Sequence, residues 1–141
     1  MPQEEARMKL TLTLHGGDLS IVRLLPQAEL PVWLNLAARP LVSITFAANE
    51  VSIVCPSDLV PPGHPSEGHW RGFEIEGPID FGLTGVLASV LNPLAAAGLS
   101  IFAISTFDTD WILVRADKLA AAGAALAAHF RIRVAPNPTI P

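Results

Sequence analysis

Apolar and polar positions alternate between residues 71 and 76, with Phe73 and Ile75 on one face and Glu74 and Glu76 on the other, the pattern of a strand. From residue 83 the period becomes helical. Leu83, Val86, Leu87, Val90, Leu91 and Leu94 fall at i, i+3, i+4, i+7, i+8 and i+11, opposite Thr84, Gly85, Ser89 and Asn92. A helix is predicted over 83–97, weakened at Pro93 and stopped by Gly98. Leu99, Ile101, Phe102 and Ile104 then predict a strand over 99–106, Asp108-Thr109-Asp110 a turn, and 111–115 a returning strand. Asp117 suits the N-cap of an alanine-rich helix over 118–129, and 130–134 is a last strand. The order is β-α-β-β-α-β, the ferredoxin-like unit, with both helices on one face of an antiparallel sheet.

The N-terminal half repeats the scheme with its helix reduced. Strands are predicted at 10–14 and 19–25, around the turn Gly16-Gly17-Asp18, and a short helix at 31–36 with Pro31 in its first turn. A hairpin, 41–46 and 51–55, crosses Ala48-Asn49-Glu50. The run Ile53-Val54-Cys55-Pro56-Ser57-Asp58-Leu59 parallels Leu113-Val114-Arg115-Ala116-Asp117-Lys118-Leu119, each a strand end entering a helix start. Each follows a strand with a Ser-Ile pair, Ser43-Ile44 and Ser100-Ile101. The Pro- and Gly-rich stretch 56–69 reads as the connection between halves, and 135–141 as a loose tail.

Composition sharpens this picture. The 141 residues are 50% hydrophobic and only 16% charged, against about 25% charged in average proteins. That excludes disorder and leaves much apolar surface to place. Residues 81–107 carry no charge, but they divide into a helix, a stop and a strand, so no membrane span is expected. The net charge is -4 and the nine Lys and Arg are scattered, which argues against nucleic acid as a partner. Arg131 and Arg133 fall on one face of the last strand, a solvated face. A single cysteine, Cys55, permits no intrachain disulfide, and the polar start of the chain resembles no signal peptide, so a cytoplasmic location is expected.

The run from Phe73-Glu74-Ile75-Glu76-Gly77-Pro78-Ile79-Asp80-Phe81-Gly82-Leu83-Thr84-Gly85 through Asn92-Pro93-Leu94-Ala95 to Gly98-Leu99-Ser100-Ile101-Phe102-Ala103-Ile104-Ser105-Thr106-Phe107-Asp108-Thr109-Asp110 resembles a small bacterial ACT-domain protein. It is similar to the ACT units of the CASTOR arginine sensors and, more distantly, of aspartate kinases. The resemblance covers about 70–134 well and 8–60 loosely. It implies an α+β tandem of two units, a degenerate one at 8–60 and a second at 70–134, joined by a linker at 61–69. It also implies an amino-acid-binding regulator that works through interfaces between units or subunits. No catalytic domain is expected beside them, so what the chain regulates is left open.

The residues themselves support such a site. The loop Gly77–Gly82 leads into a helix N-terminus, where free N–H groups and the helix dipole favour a carboxylate. Gly77, Gly82 and Gly85 allow close approach to the backbone. Asp80, Asp108 and Asp110 could meet an ammonium, and Ser105 and Thr106 offer hydroxyls. The expected ligand-binding set is Gly77, Ile79, Asp80, Phe81, Gly82, Leu83, Ser105, Thr106, Asp108 and Asp110. The same residues also suit plain structural duties, Asp80 and Thr84 as helix caps and Asp108-Thr109-Asp110 as a hairpin turn.

Other chemistries find less support. No Lys follows the glycines as in a Walker loop, and no Gly-x-Ser-x-Gly elbow is present. His64, Glu67 and His69 share a proline-rich loop that reads as solvated rather than metal-binding. Cys55 reads as a small buried hydrophobe, and Trp33, Trp70 and Trp111 as packing residues. The expectation is a non-enzymatic sensor without cofactor, metal or catalytic residues, acting as a homo-oligomer such as a dimer. The alternative is a ligand-free protein–protein interaction module, and a small enzyme on the same fold is the weakest reading.

Overall fold

The computed structural model of the chain describes residues 10–76 and 85–136. Its elements run β1 (Thr11–Leu14), β2 (Leu19–Leu24), β3 (Ser43–Ala47), β4 (Glu50–Pro56), β5 (Glu67–Ile75), α1 (Val86–Ala96), β6 (Ile101–Ser105), β7 (Asp110–Arg115), α2 (Leu119–Ala127) and β8 (Arg131–Val134). From β5 onward this is the predicted β-α-β-β-α-β unit.

The nine-residue β5 is the spine of one continuous sheet. Along one edge it pairs antiparallel first with β2, Leu19 facing Trp70, and then with β1, Leu12 facing Ile75 and Leu14 facing Phe73. Strands β1 and β2 therefore lie end to end. Gly16-Gly17-Asp18 does not reverse the chain. It lets the backbone leave the ladder and rejoin it, with Gly17 at φ +83°. On the other edge β5 pairs with β7, and β7 with β6. Strand β1 also pairs in parallel with β8, and β2 pairs with β4, which pairs with β3. The C-terminal sheet thus reads β6-β7-β5-β1-β8, with β1 wedged between the first and last strands of its β-α-β-β-α-β unit.

Both helices cover one face of that sheet. Val86, Val90 and Leu94 of α1 and Ala122 and Leu126 of α2 pack on Leu12, Phe73, Ile75, Ile112 and Val114. This is the predicted stripe, buried at i, i+4 and i+8. Helix α1 ends in a Schellman motif, in which Leu99 N donates to Leu94 O (3.1 Å) and Gly98 N to Ala95 O (2.9 Å), with Gly98 at φ +73°. Helix α2 starts at Leu119, after a single 3-10 turn over Ala116–Lys118, and Asp117 makes no side-chain cap bond to it. On the opposite face Leu19, Val54, Trp70 and Leu113 form a second core that runs across β2, β4, β5 and β7.

The N-terminal half is covered without a helix. The predicted helix at 31–36 is replaced by tight turns, in which Leu34 N donates to Pro31 O (3.1 Å) and Ala38 N to Asn35 O (3.0 Å). The Asn35 side chain takes the Ala37 N–H at 3.0 Å, a local bond that competes with helix formation. Leu30, Trp33 and Leu34 nevertheless pack on Val22, Val51, Ile53 and Cys55, as a helix face would. The internal repeat is visible in the backbone. Pro56 (φ -54°, ψ 135°) and Arg115 (φ -61°, ψ 137°) both end a strand and open a 3-10 turn. The Ser-Ile pairs do not superpose, because Val54 faces Ser43 whereas Val114 faces Ile101, one residue out of step. No helix among the described residues is long and apolar enough to cross a membrane.

Candidate functional site

Strands β6 and β7 close on each other at Ser105 and Asp110, and the turn between them is locked by its own polar groups. Thr106 N donates to Thr109 O at 2.8 Å, and Thr106 Oγ1 donates to the same oxygen at 3.1 Å. Thr109 N lies 3.3 Å from Thr106 Oγ1, which accepts from it. Ser105 Oγ donates to Asp110 Oδ1 at 2.5 Å, a short bond of the charge-assisted kind. The β5–β7 ladder ends where Glu74 faces Trp111. One step beyond, the Thr109 hydroxyl donates to Ile75 O, and Thr109 is only 7% exposed. A side chain thus supplies the donor where the backbone ladder stops, and it holds the turn against the end of β5.

Of the ten expected ligand-binding residues, Gly77, Ile79, Asp80, Phe81, Gly82 and Leu83 lie outside the described residues. The other four, Ser105, Thr106, Asp108 and Asp110, come together in this one turn. Their roles differ. Asp110 is engaged by Ser105, and Thr106 by Thr109. Asp108 is exposed and makes no hydrogen bond or ion pair among the described residues. Thr109 escaped notice because a threonine between two aspartates reads simply as turn. Its contact with Ile75 spans 34 positions, and no local spacing encodes it.

A second polar group that sequence reasoning missed sits at the break between β1 and β2. His15 Nε2 lies 2.9 Å from Glu74 Oε1, and its ring stacks on Trp111 at 4.6 Å. Arg71 Nη2 donates to His15 O at 3.0 Å. Gly72 makes room beneath, since a Cβ there would stand 3.3 Å from both Leu19 and Trp111. These contacts pin the break to β5, which is structural work. His64 and His69 are engaged separately, His64 on Pro65 O and Trp33, His69 beside Asp18 at 3.3 Å. No cluster of three or more His, Cys, Asp or Glu able to hold a metal ion occurs among the described residues. Burial, and then the charge of Asp58, push the Cys55 thiol up to about 11, so it is protonated at neutral pH and a poor nucleophile.

The family model of the ACT domain matches residues 66–128. Among solved structures, protein Atu0741 from Agrobacterium tumefaciens is 33% identical, with a TM-score of 0.83 over 94% of this chain and 98% of that one. The regulatory subunit of aspartate kinase from Thermus flavus shares the fold at 14% identity, with a TM-score of 0.56 over 86% of this chain and 96% of that one. The curated "Cytosolic arginine sensor for mTORC1 subunit 1" of Mus musculus is 38% identical over 79 residues, 55% of this chain. The matched stretch spans 23% of that sensor's length. An ACT match on β5 to α2, a close relative covered almost end to end, and a shared architecture with kinase regulatory subunits lead to one conclusion: the chain belongs to the ACT-domain proteins, as a small tandem member.

Proposed function

We propose that this protein is a non-enzymatic sensor that binds an amino acid between ACT units and passes the binding on through their interface. The observation that carries the reading is Asp108, an unengaged carboxylate on a locked turn beside the end of β5, inside the matched ACT domain. Asp108 faces the ammonium, and the loop 77–82 and the start of the helix after it receive the carboxylate. Units over 8–60 and 70–134 share the sheet through β5, whose first residues, 67–69, fall in the stretch 61–69 expected from sequence to be a linker, so a ligand at one unit's end biases the packing of the other. The protein works in the cytoplasm as a homo-oligomer. Arginine sensing by the curated relatives makes L-arginine the first ligand to try.

Isothermal calorimetry against the twenty common amino acids, L-arginine first, tests this. Binding by at least one is expected, with Asp108→Asn weakening it about tenfold or more, the loss of one charged hydrogen bond. Silence across the set at millimolar concentration would sink the reading. A ligand-free interaction module is the second reading, favoured by the exposed Leu25, Val32 and Leu36 of the helix-free segment. Enlarging Gly82 separates the two: a sensor loses its ligand, whereas an interaction module keeps its partner.

A further inference from the structure

We infer that the break between β1 and β2 is a proton-operated clasp, in which a charge gained by His15 tightens the hold of the chain on β5. The clasp needs no ligand and is independent of the sensor reading. The chain crosses the break through Gly16 and Gly17, with Gly17 at φ +83°, so the backbone there has little stiffness of its own. Its first end is held by His15. The His15 N–H donates to Gly72 O at 2.9 Å, and Arg71 Nη2 donates to His15 O at 3.0 Å. The ring adds two contacts, Nε2 at 2.9 Å from Glu74 Oε1 and a stack on Trp111 at 4.6 Å. With a neutral ring, Nε2–H donates an ordinary hydrogen bond to the carboxylate. A second proton, on Nδ1, makes that contact an ion pair and lays a cation over an indole face, two gains of the same sign. The charged groups facing His15 are Glu74 and Arg71 of β5, while Trp111 of β7 is uncharged. Arg71 opposes the imidazolium, but it bonds the main chain of His15, whereas Glu74 touches the ring itself, and the shorter separation wins. The other charges of the adjoining strands are engaged elsewhere, Glu67 with Arg115, Glu76 with Arg133 and Asp110 with Ser105, and Arg131 faces Thr11 at the far end of β1. Beyond the break, Asp18 lies 3.3 Å from His69 of β5, a pair of the same kind and sign. Its side chains are 61% and 43% exposed, against 20% and 31% for His15 and Glu74, so the His15 end carries most of the effect. Imidazole is the side chain that ordinarily gains its proton between about pH 5 and 8, so the joint between the two halves answers to mild acid.

Amide hydrogen exchange on the whole chain, corrected for the intrinsic effect of pH, reads the clasp at the His15 N–H. Leu99 and Leu34, bonded to Leu94 O and Pro31 O, serve as controls, one in each half. Protection of His15 is expected to be about three- to fivefold greater at about pH 5.5 than at about pH 8, with the controls unchanged. Glu74→Gln keeps an acceptor of the same shape and removes the charge, and it should level the two values. A second readout is the indole N–H resonance of Trp111. It should move over the same pH range in the parent and hold its place in His15→Gln, whose amide can still donate but gains no proton. Equal protection of His15 at the two pH values, or a change shared with the controls, overturns the inference. So does a Glu74→Gln variant that responds like the parent, or a Trp111 resonance that moves as far in His15→Gln. Failure of the clasp leaves the sensor reading standing, and silence in calorimetry leaves the clasp standing.

Discussion

Cys55 is fully buried, and its thiol is held neutral by the cost of taking a thiolate out of water, with the Asp58 charge adding to it. The consequence for stability has a definite sign. An unfolded cysteine ionises near about 8.5. Below that value both states carry the thiol and it contributes no pH slope. Above it the unfolded chain releases the proton while the fold retains it until about 11, so stability falls across that window. Urea unfolding at pH 7, 9 and 10 should show a decline that is shallower in Cys55→Ala, and thiol reagents should label Cys55 only upon unfolding. Burial of a lone cysteine before a proline was legible from residue type. The different duties of Asp108 and Asp110 were not, since which carboxylate Ser105 reaches depends on the register of β6 on β7, and sequence spacing admits either.

At the scale of elements, the features written by period were legible and those set by partners were not. The alternation on β5, the apolar stripe of α1 and the glycine that ends it all follow from local rules, and they stand where the pattern puts them. The turns over 31–38 had the composition of a short helix, but the Asn35 side chain, which takes the Ala37 N–H, favours a turn instead. The in-line course of β1 and β2 was invisible for another reason. A pair of glycines serves a reversal and a ladder break equally well, and only the pairing with β5 decides between them. Strand β1 should therefore matter to the C-terminal unit. Leu12 is fully buried among Phe73, Ile75 and the helices. Leu12→Ala should cost about 2–5 kcal/mol in chemical denaturation, as other large-to-small core changes do. A fragment over 60–136, lacking β1, should show no cooperative unfolding by circular dichroism, because β5 and β8 would lose the strand between them.

For the whole molecule, the surplus of apolar over charged residues now has addresses. Two cores lie on one side of the sheet and one on the other, and they consume most of it. Leu25, Val32, Leu36 and Phe46 remain outside. Of the sheet edges unpaired among the described residues, β8 carries Arg131 and Arg133, which oppose pairing, while β3 and β6 carry no charge at all. Such edges accept another strand, and sedimentation equilibrium should return a mass that is a multiple of 15.0 kDa. A single 15.0 kDa species across the micromolar range would count against assembly.

The parallel pairing of β1 with β8 has a mechanical meaning. Thr11 faces Arg131 and Leu14 faces Val134, so a pull between the start of β1 and the end of β8 acts along the two strands in opposite directions. The ladder is then loaded in shear, with its bonds strained together, instead of being unzipped one at a time from an end. Because β1 is also bonded to β5, that load passes directly into the spine that both halves share. Tension arriving through the two ends of the chain meets its resistance at the strands that tie the fold together.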